Sequence, residues 1–291
     1  MKILGLLVAL FATTFCAQAQ VKVELSLPQD EFLAGEAMPL TVRIVNRSGQ
    51  TLHFGGSPDW MTFAIESKDG YIITKKGDVP VEDYNLALES SKLGKTDVDL
   101  APYFSFSKPG RYTVTASVMI KEWNQQVSSE SKSFDVIVGA KLWDQEIGLP
   151  KAANAEDQAP EVRRYTLYQA NYLRKRLMLY VQITDINGRV FKVFPIGPML
   201  SFGGPEPQVD RLSNLHVLYQ DGQRTYNYTV VDPHGTVLIR QKYDMIDMGP
   251  RPKLKINPEG RFEVVGGARR ITANDVPPPK PSETNAETAK P

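Results

Sequence analysis

The strongest chemical character in this chain lies between Arg163 and Arg176, where cations surround tyrosines: Arg163, Arg164, Tyr165, Tyr168, Tyr172, Arg174, Lys175 and Arg176. Tyrosine rings stack on sugars or bases, and neighbouring cations attract anionic groups. The mixture therefore suits a docking surface for an acidic partner or an anionic glycan. It equally suits core tyrosines flanked by solubilising charges. Read as a helix, Tyr165, Tyr168 and Tyr172 share a face. Read as a strand, Tyr165 opposes the other two, and Arg174-Lys175-Arg176 becomes a hairpin tip. The aromatic and β-branched flanks favour the strand.

Other constellations fail on spacing. His53, His216 and His234 are scattered, and no pair has metal-ligand spacing or resembles H-E-x-x-H. Gly94-Lys95-Thr96 resembles the end of a phosphate-binding loop, but Glu89 stands where that loop needs glycine. Ser105-x-x-Lys108 and Ser129-x-x-Lys132 carry a half-motif of acyl-enzyme chemistry that requires a helix. Both lie in or beside strand patterns, where i and i+3 point to opposite faces. Asp83, Glu89, Asp97, Asp99, Glu206 and Asp210 are loop acids, and nothing selects a pair of them for glycoside hydrolysis. No residue is assigned to catalysis, to a cofactor or to a metal.

The amino terminus sets the compartment. Lys2 precedes an apolar run from Ile3 to Phe15, and Ala17-Gln18-Ala19 places small residues where a signal peptidase reads them. Cleavage after Ala19 is expected, giving a periplasmic or secreted protein. The run is too short to span a bilayer comfortably, and Phe15 stands where a lipoprotein signal needs a small residue, so no stable membrane anchor is expected. The single cysteine, Cys16, leaves with that segment, which removes disulfides and thiolate chemistry. Of 34 lysines and arginines against 33 aspartates and glutamates, Lys2 is also lost, leaving 33 of each. A neutral chain has no global field for collecting nucleic acid.

These residues need elements to hold them, and the pattern is β throughout. Val21, Val23, Leu25 and Leu27 alternate with polar residues, as do Leu40, Val42 and Ile44 before the Asn46-Arg47-Ser48-Gly49 turn. Phe63 and Ile65 alternate up to Asp69-Gly70, and Tyr71 to Ile73 read as the returning arm of a hairpin. Lys108-Pro109-Gly110 leads into Tyr112, Val114, Ala116 and Val118, and Phe134, Val136 and Val138 close the set. About seven short strands in some 120 residues is the rhythm of a β-sandwich.

Gly35-Glu36, Asn46 and the run Pro109-Gly110-Arg111-Tyr112-Thr113-Val114 resemble the immunoglobulin-like modules common in exported proteins. In those, an early strand tyrosine caps the corner through its hydroxyl. The segment from Leu40 to Ile73 also resembles the bacterial proteinase-inhibitor family of immunoglobulin-like fold, through Asn46, Leu52, Phe54, Phe63, Ile65, Asp69 and Gly70. That resemblance implies an inhibitory contact on the loop Gly55-Gly56-Ser57-Pro58-Asp59-Trp60, with Trp60 as its contact residue.

Residues 141–162 change to small polar residues and read as a linker. Strand patterns resume over 163–272. There Asp185-x-x-Gly188, Asp232-x-x-Gly235 and Asn257-x-x-Gly260 repeat as turns between strands, the first two 47 residues apart. A meander or a second sandwich is expected, since so short a stretch holds too few blades for a propeller. The Pro277-Pro278-Pro279-Lys280-Pro281 tail, 273–291, is expected to be disordered.

The expectation is thus an all-β protein: signal peptide 1–19, immunoglobulin-like β-sandwich 20–140, linker, second antiparallel β-domain and tail. Its expected role is non-catalytic binding of an envelope or secreted protein, or of a polysaccharide. A proteinase inhibitor or a carbohydrate-active enzyme with unidentified acids stands as the alternative.

Overall fold

The computed structural model describes residues 20–81, 84–149, 161–172 and 176–277, with side chains except at Tyr172. The expected signal peptide and most of the tail lie outside these residues. The described chain is all-β, and its one helical element is a 3-10 turn at Lys121–Trp123. It divides into two compact units, Met1–Ile137 and Val138–Pro291.

The first unit contains β1 (Val21–Ser26), β2 (Glu31–Leu33), β3 (Pro39–Asn46), β4 (Leu52–Gly55), β5 (Met61–Ser67), β6 (Asn85–Leu88), β7 (Leu93–Asp99), β8 (Gly110–Ile120), β9 (Gln125–Ser128) and β10 (Lys132–Ile137). One sheet runs β1-β3-β7 and another β2-β10-β8-β5, with β9 also on β8; β4 and β6 pair by themselves. Alternation dictates the layering. Leu40, Val42 and Ile44 of β3 and Tyr112, Val114, Ala116 and Val118 of β8 bury alternate side chains in a single core. Asn46 is buried and pins its turn. Its Nδ2 donates to Gln50 O and Leu88 O, both at 2.8 Å, and its Oδ1 accepts from Ser48 N at 2.9 Å.

One expectation fails here, with consequences below. Tyr71 to Ile73 do not return along β5. Beyond β5 the backbone stays with β8, Lys68 N donating to Arg111 O at 2.9 Å, and the Asp69 carboxylate accepts from Arg111 N at 3.2 Å. The chain then leaves the sheet as a strap that pairs with residues 103–105. There Lys76 N donates to Tyr103 O at 2.8 Å and Ser105 N to Thr74 O at 3.0 Å.

The second unit contains β11 (Ala140–Gly148), β12 (Val162–Tyr172), β13 (Arg176–Asp185), β14 (Val190–Pro198), β15 (Glu206–Val209), β16 (Leu215–Gly222), β17 (Thr225–Val231), β18 (Val237–Asp244), β19 (Lys253–Ile256), β20 (Phe262–Val265) and β21 (Ala268–Arg270). A sheet β11-β12-β13-β14 shares a core with a sheet β15-β16-β17-β18-β21 through Leu167, Val181, Ile183, Leu215, Val217 and Val231. The β19–β20 hairpin places Leu254 and Val264 over the far face of the second sheet, so β16 is buried on both sides. Residues 141–148, expected to be linker, are instead most of β11. That strand is largely exposed, and a register break between Lys141 and Trp143 disrupts its alternation, which hides it from a period-two reading. Residues 150–160 of the expected linker lie outside the described residues.

The Asx-Gly repeat resolves into four turns of one design. Asp185 Oδ1 accepts from Asn187 N and Arg189 N, and Asp232 Oδ1 accepts from His234 N and Thr236 N. Asn257 Oδ1 accepts from Arg261 N. The fourth copy, Asp210 to Asn214, has the same bonds to Leu212 N and Asn214 N but places Ser213, at φ +66°, where the others have glycine.

Candidate functional site: an open strand edge and its groove

Strand β5 forms the end of its sheet, with β8 on one side and no strand on the other among the described residues. Antiparallel pairing makes alternate residues exchange both backbone bonds. Met119 N donates to Trp60 O at 2.8 Å and Lys68 N to Arg111 O at 2.9 Å, so the even-numbered residues between them face β8. Met61, Phe63 and Ile65 therefore direct N–H and C=O away from the sheet. Proteins commonly blunt such an edge with proline, a bulge or charge. The seven residues of β5 carry no proline, pair in unbroken register and include one charged side chain, Glu66.

The strap walls a groove beside this edge. Pro58, Asp59, Met61, Thr62, Phe63, Lys75, Asp78, Val79 and Phe104 enclose about 180 Å³. That is smaller than a typical small-molecule pocket and suits one side chain. Val79 and Phe104 give it an apolar wall, while Lys75 Nζ and Asp78 Oδ1 form an ion pair at 2.5 Å. Asp59 is exposed and has no ion pair among the described residues.

Trp60 fixes the loop above the groove, in a manner opposite to the sequence expectation. It is 0% exposed, so it cannot be the contact residue of that loop. Its Nε1 donates to Val81 O at 2.5 Å, and its ring stacks on Tyr84 at 5.8 Å and leans on Phe54 at 6.1 Å. An indole has a large apolar body and one donor, so burial is favourable once that donor has a carbonyl. Gly55 completes the anchor. At φ +102°, a Cβ there would lie 1.5 Å from Tyr84 O, so only glycine permits this approach. The loop is held from below while Pro58 and Asp59 remain exposed.

The basic, tyrosine-rich segment divides. It is a strand, β12, but Tyr165 is 0% exposed, and its hydroxyl donates to Ser213 O at 2.9 Å. Burial pushes that hydroxyl well above the ordinary tyrosine range. Tyr168 lies on the opposite face, half-buried, in register with Tyr180. Arg163 pairs with Glu161 and covers the Phe191 ring at 3.8 Å, and Arg164 pairs with Glu146. Arg176 is exposed at the start of β13. The side chains of Tyr172, Arg174 and Lys175, which carry the rest of the expected surface, lie outside the described residues.

A cluster that spacing could not reveal joins Asp210, His216 and Tyr228. His216 Nε2 lies 3.1 Å from Asp210 Oδ2, and Nδ1 lies 2.7 Å from Tyr228 Oη. Burial would raise Asp210, but bonds from His216 and Asn214 outweigh it and hold the carboxyl below its ordinary value. The carboxylate thus accepts a hydrogen bond from Nε2–H, and Nδ1 accepts from the tyrosine hydroxyl. Burial lowers His216, partly offset by Asp210. His216 is 7% exposed, with Phe262 at 4.8 Å, so both its nitrogens are used inside the fold. Among the described residues, no three His, Cys, Asp or Glu side chains are placed to hold a metal ion.

No protein-family model matches the chain, and no curated protein matches it. Among solved structures, the sporulation control protein Spo0M of Bacillus subtilis is similar over 59% of this chain and 82% of its own. The identity is 9% and the TM-score 0.28. A likeness at that level bears on neither the site nor the activity.

Proposed function

We propose that the chain is an exported, non-catalytic binding protein whose partner is another envelope or secreted protein. The open β5 edge carries this reading. Main-chain donors and acceptors left at a sheet edge are satisfied by a protein strand, which presents the same groups at the same repeat, and a polysaccharide does not. The immunoglobulin-like character of the first unit belongs to the same proposal. It is supported by the facing sheets and by Tyr112 Oη, which donates to Lys108 O at 2.6 Å and caps the corner where β8 begins.

Shaving of the envelope tests the reading. Purified full-length chain is applied to envelopes of the source organism before and after digestion of their surface proteins. Retention lost on digestion supports a protein partner. Retention that survives digestion points to polysaccharide and overturns it, as does release of reducing sugar or peptide by the chain.

The proteinase-inhibitor alternative keeps one observation in its favour. The 55–60 loop is rigidly anchored by Gly55 and Trp60 while Pro58 and Asp59 stand free. Under that reading Trp60 acts as the anchor. Inhibition across a protease panel that is lost on Asp59→Lys separates the two.

A further inference from the structure

We infer that the groove between β5 and the strap receives an extended peptide segment that adds a strand to the β5 edge and places a lysine or arginine side chain beside Asp59. The inference rests on the protein-binding reading above and specifies its ligand.

Three observations converge. Met61, Phe63 and Ile65 present backbone donors and acceptors on the side away from β8. At about 3.3 Å per residue, β5 offers an edge of roughly 20 Å, enough for an incoming strand of five to seven residues. Beside the Met61 end, the 180 Å³ groove admits one side chain against the apolar wall of Val79 and Phe104. Its charges select the sign of that side chain. Lys75 and Asp78 neutralise one another at 2.5 Å, which leaves the exposed Asp59 carboxylate as the uncompensated charge at the groove. A lysine or arginine lays its aliphatic stem on the apolar wall and carries its cation to that carboxylate. A glutamate there faces a like charge.

The test uses the full chain and a fluorescein-labelled probe, acetyl-Thr-Val-Thr-Lys-Thr-Val-Thr-amide, titrated by fluorescence anisotropy. The probe is expected to bind, and the same peptide with glutamate for lysine to bind roughly tenfold more weakly. Asp59→Asn is expected to weaken the lysine probe roughly threefold to fivefold and to narrow its advantage over the glutamate probe. Because Asp59 is exposed, an unchanged melting curve confirms that this variant folds.

Strand addition is read from N-methylated probes. Methylation of the valine and lysine amides, or of the central threonine amides, removes donors from alternate sides of the peptide. One set is expected to abolish binding and the other to leave it nearly intact. Absence of binding, equal loss from both methylated sets, or no preference between lysine and glutamate overturns the inference. Digestion-sensitive retention on envelopes alongside any of these results leaves the protein-binding reading standing and removes only the β5 assignment.

Discussion

Strands β5 and β12 differ in a way that separates what side chains announce from what backbones offer. Strand β12 is rich in tyrosine and arginine, yet its core face carries Tyr165 to a backbone carbonyl, and its arginines are neutralised by Glu146 and Glu161. Strand β5 contains nothing beyond an apolar alternation and one glutamate, yet it leaves Met61, Phe63 and Ile65 with backbone groups directed away from its sheet. Conspicuous side chains can be conspicuous because the core needs them. An available main chain leaves no mark in composition.

That contrast can be attacked first at the two aromatic residues that resemble contacts and serve as pillars. Trp60→Ala removes the largest buried side chain of the first unit and the shorter of two hydrogen bonds to Val81 O, which keeps Tyr84 N at 3.3 Å. A loss of about 3–5 kcal/mol is expected in urea unfolding. A loss under about 1 kcal/mol would show that the indole is a surface group after all. Tyr165→Phe keeps the ring and deletes the bond to Ser213 O, so about 1–2 kcal/mol is expected from the same measurement.

The pH dependence of the second unit sharpens the contrast further. His216 is held below its ordinary pKa by burial. As pH falls through about 6.5, the unfolded chain takes up this proton before the folded one does, and stability falls. The contribution is fully present above that value and declines toward the lower folded pKa. Asp210, held down by its own hydrogen bonds, adds a second loss in the same direction at more acid pH. Urea midpoints at about pH 7 and about pH 5 are expected to drop more for the native chain than for His216→Gln, whose amide offers a donor and an acceptor without titrating. Equal drops would remove His216 from the account. The smallest effect is expected at the exposed Arg176, where Arg176→Ala should change the unfolding midpoint by less than about 0.5 kcal/mol equivalent. A larger loss would mean that the β12–β13 tip is built into the fold.

Much of the fold was legible. Alternation marked β1, β3, β8 and β13, and the Asx-Gly signature marked three of the four turns, because each feature is local. The fourth turn escaped because Ser213 accepts a positive φ that the pattern assigns to glycine. Strand β11 escaped because a bulge broke its period. The groove was invisible for a different reason. Phe63 to Ile73 carries a sound hairpin signal, but Asp69 turns to the start of β8, and pairing between residues distant in sequence overrides the local preference. Half of the loop expectation remains: Pro58 and Asp59 lie at the groove, while Trp60 holds them from beneath.

The bond from Trp60 to Val81 also makes the molecule report on itself. Val81 belongs to the strap that walls the groove, and the indole that grips it sits in a dry aromatic nest with Phe54 and Tyr84. Indole emission shifts with its hydrogen bond and its hydration. Any change in the bond between Val81 and the indole thus becomes a colour change in the ultraviolet, against the partly exposed Trp123 and Trp143 as internal references.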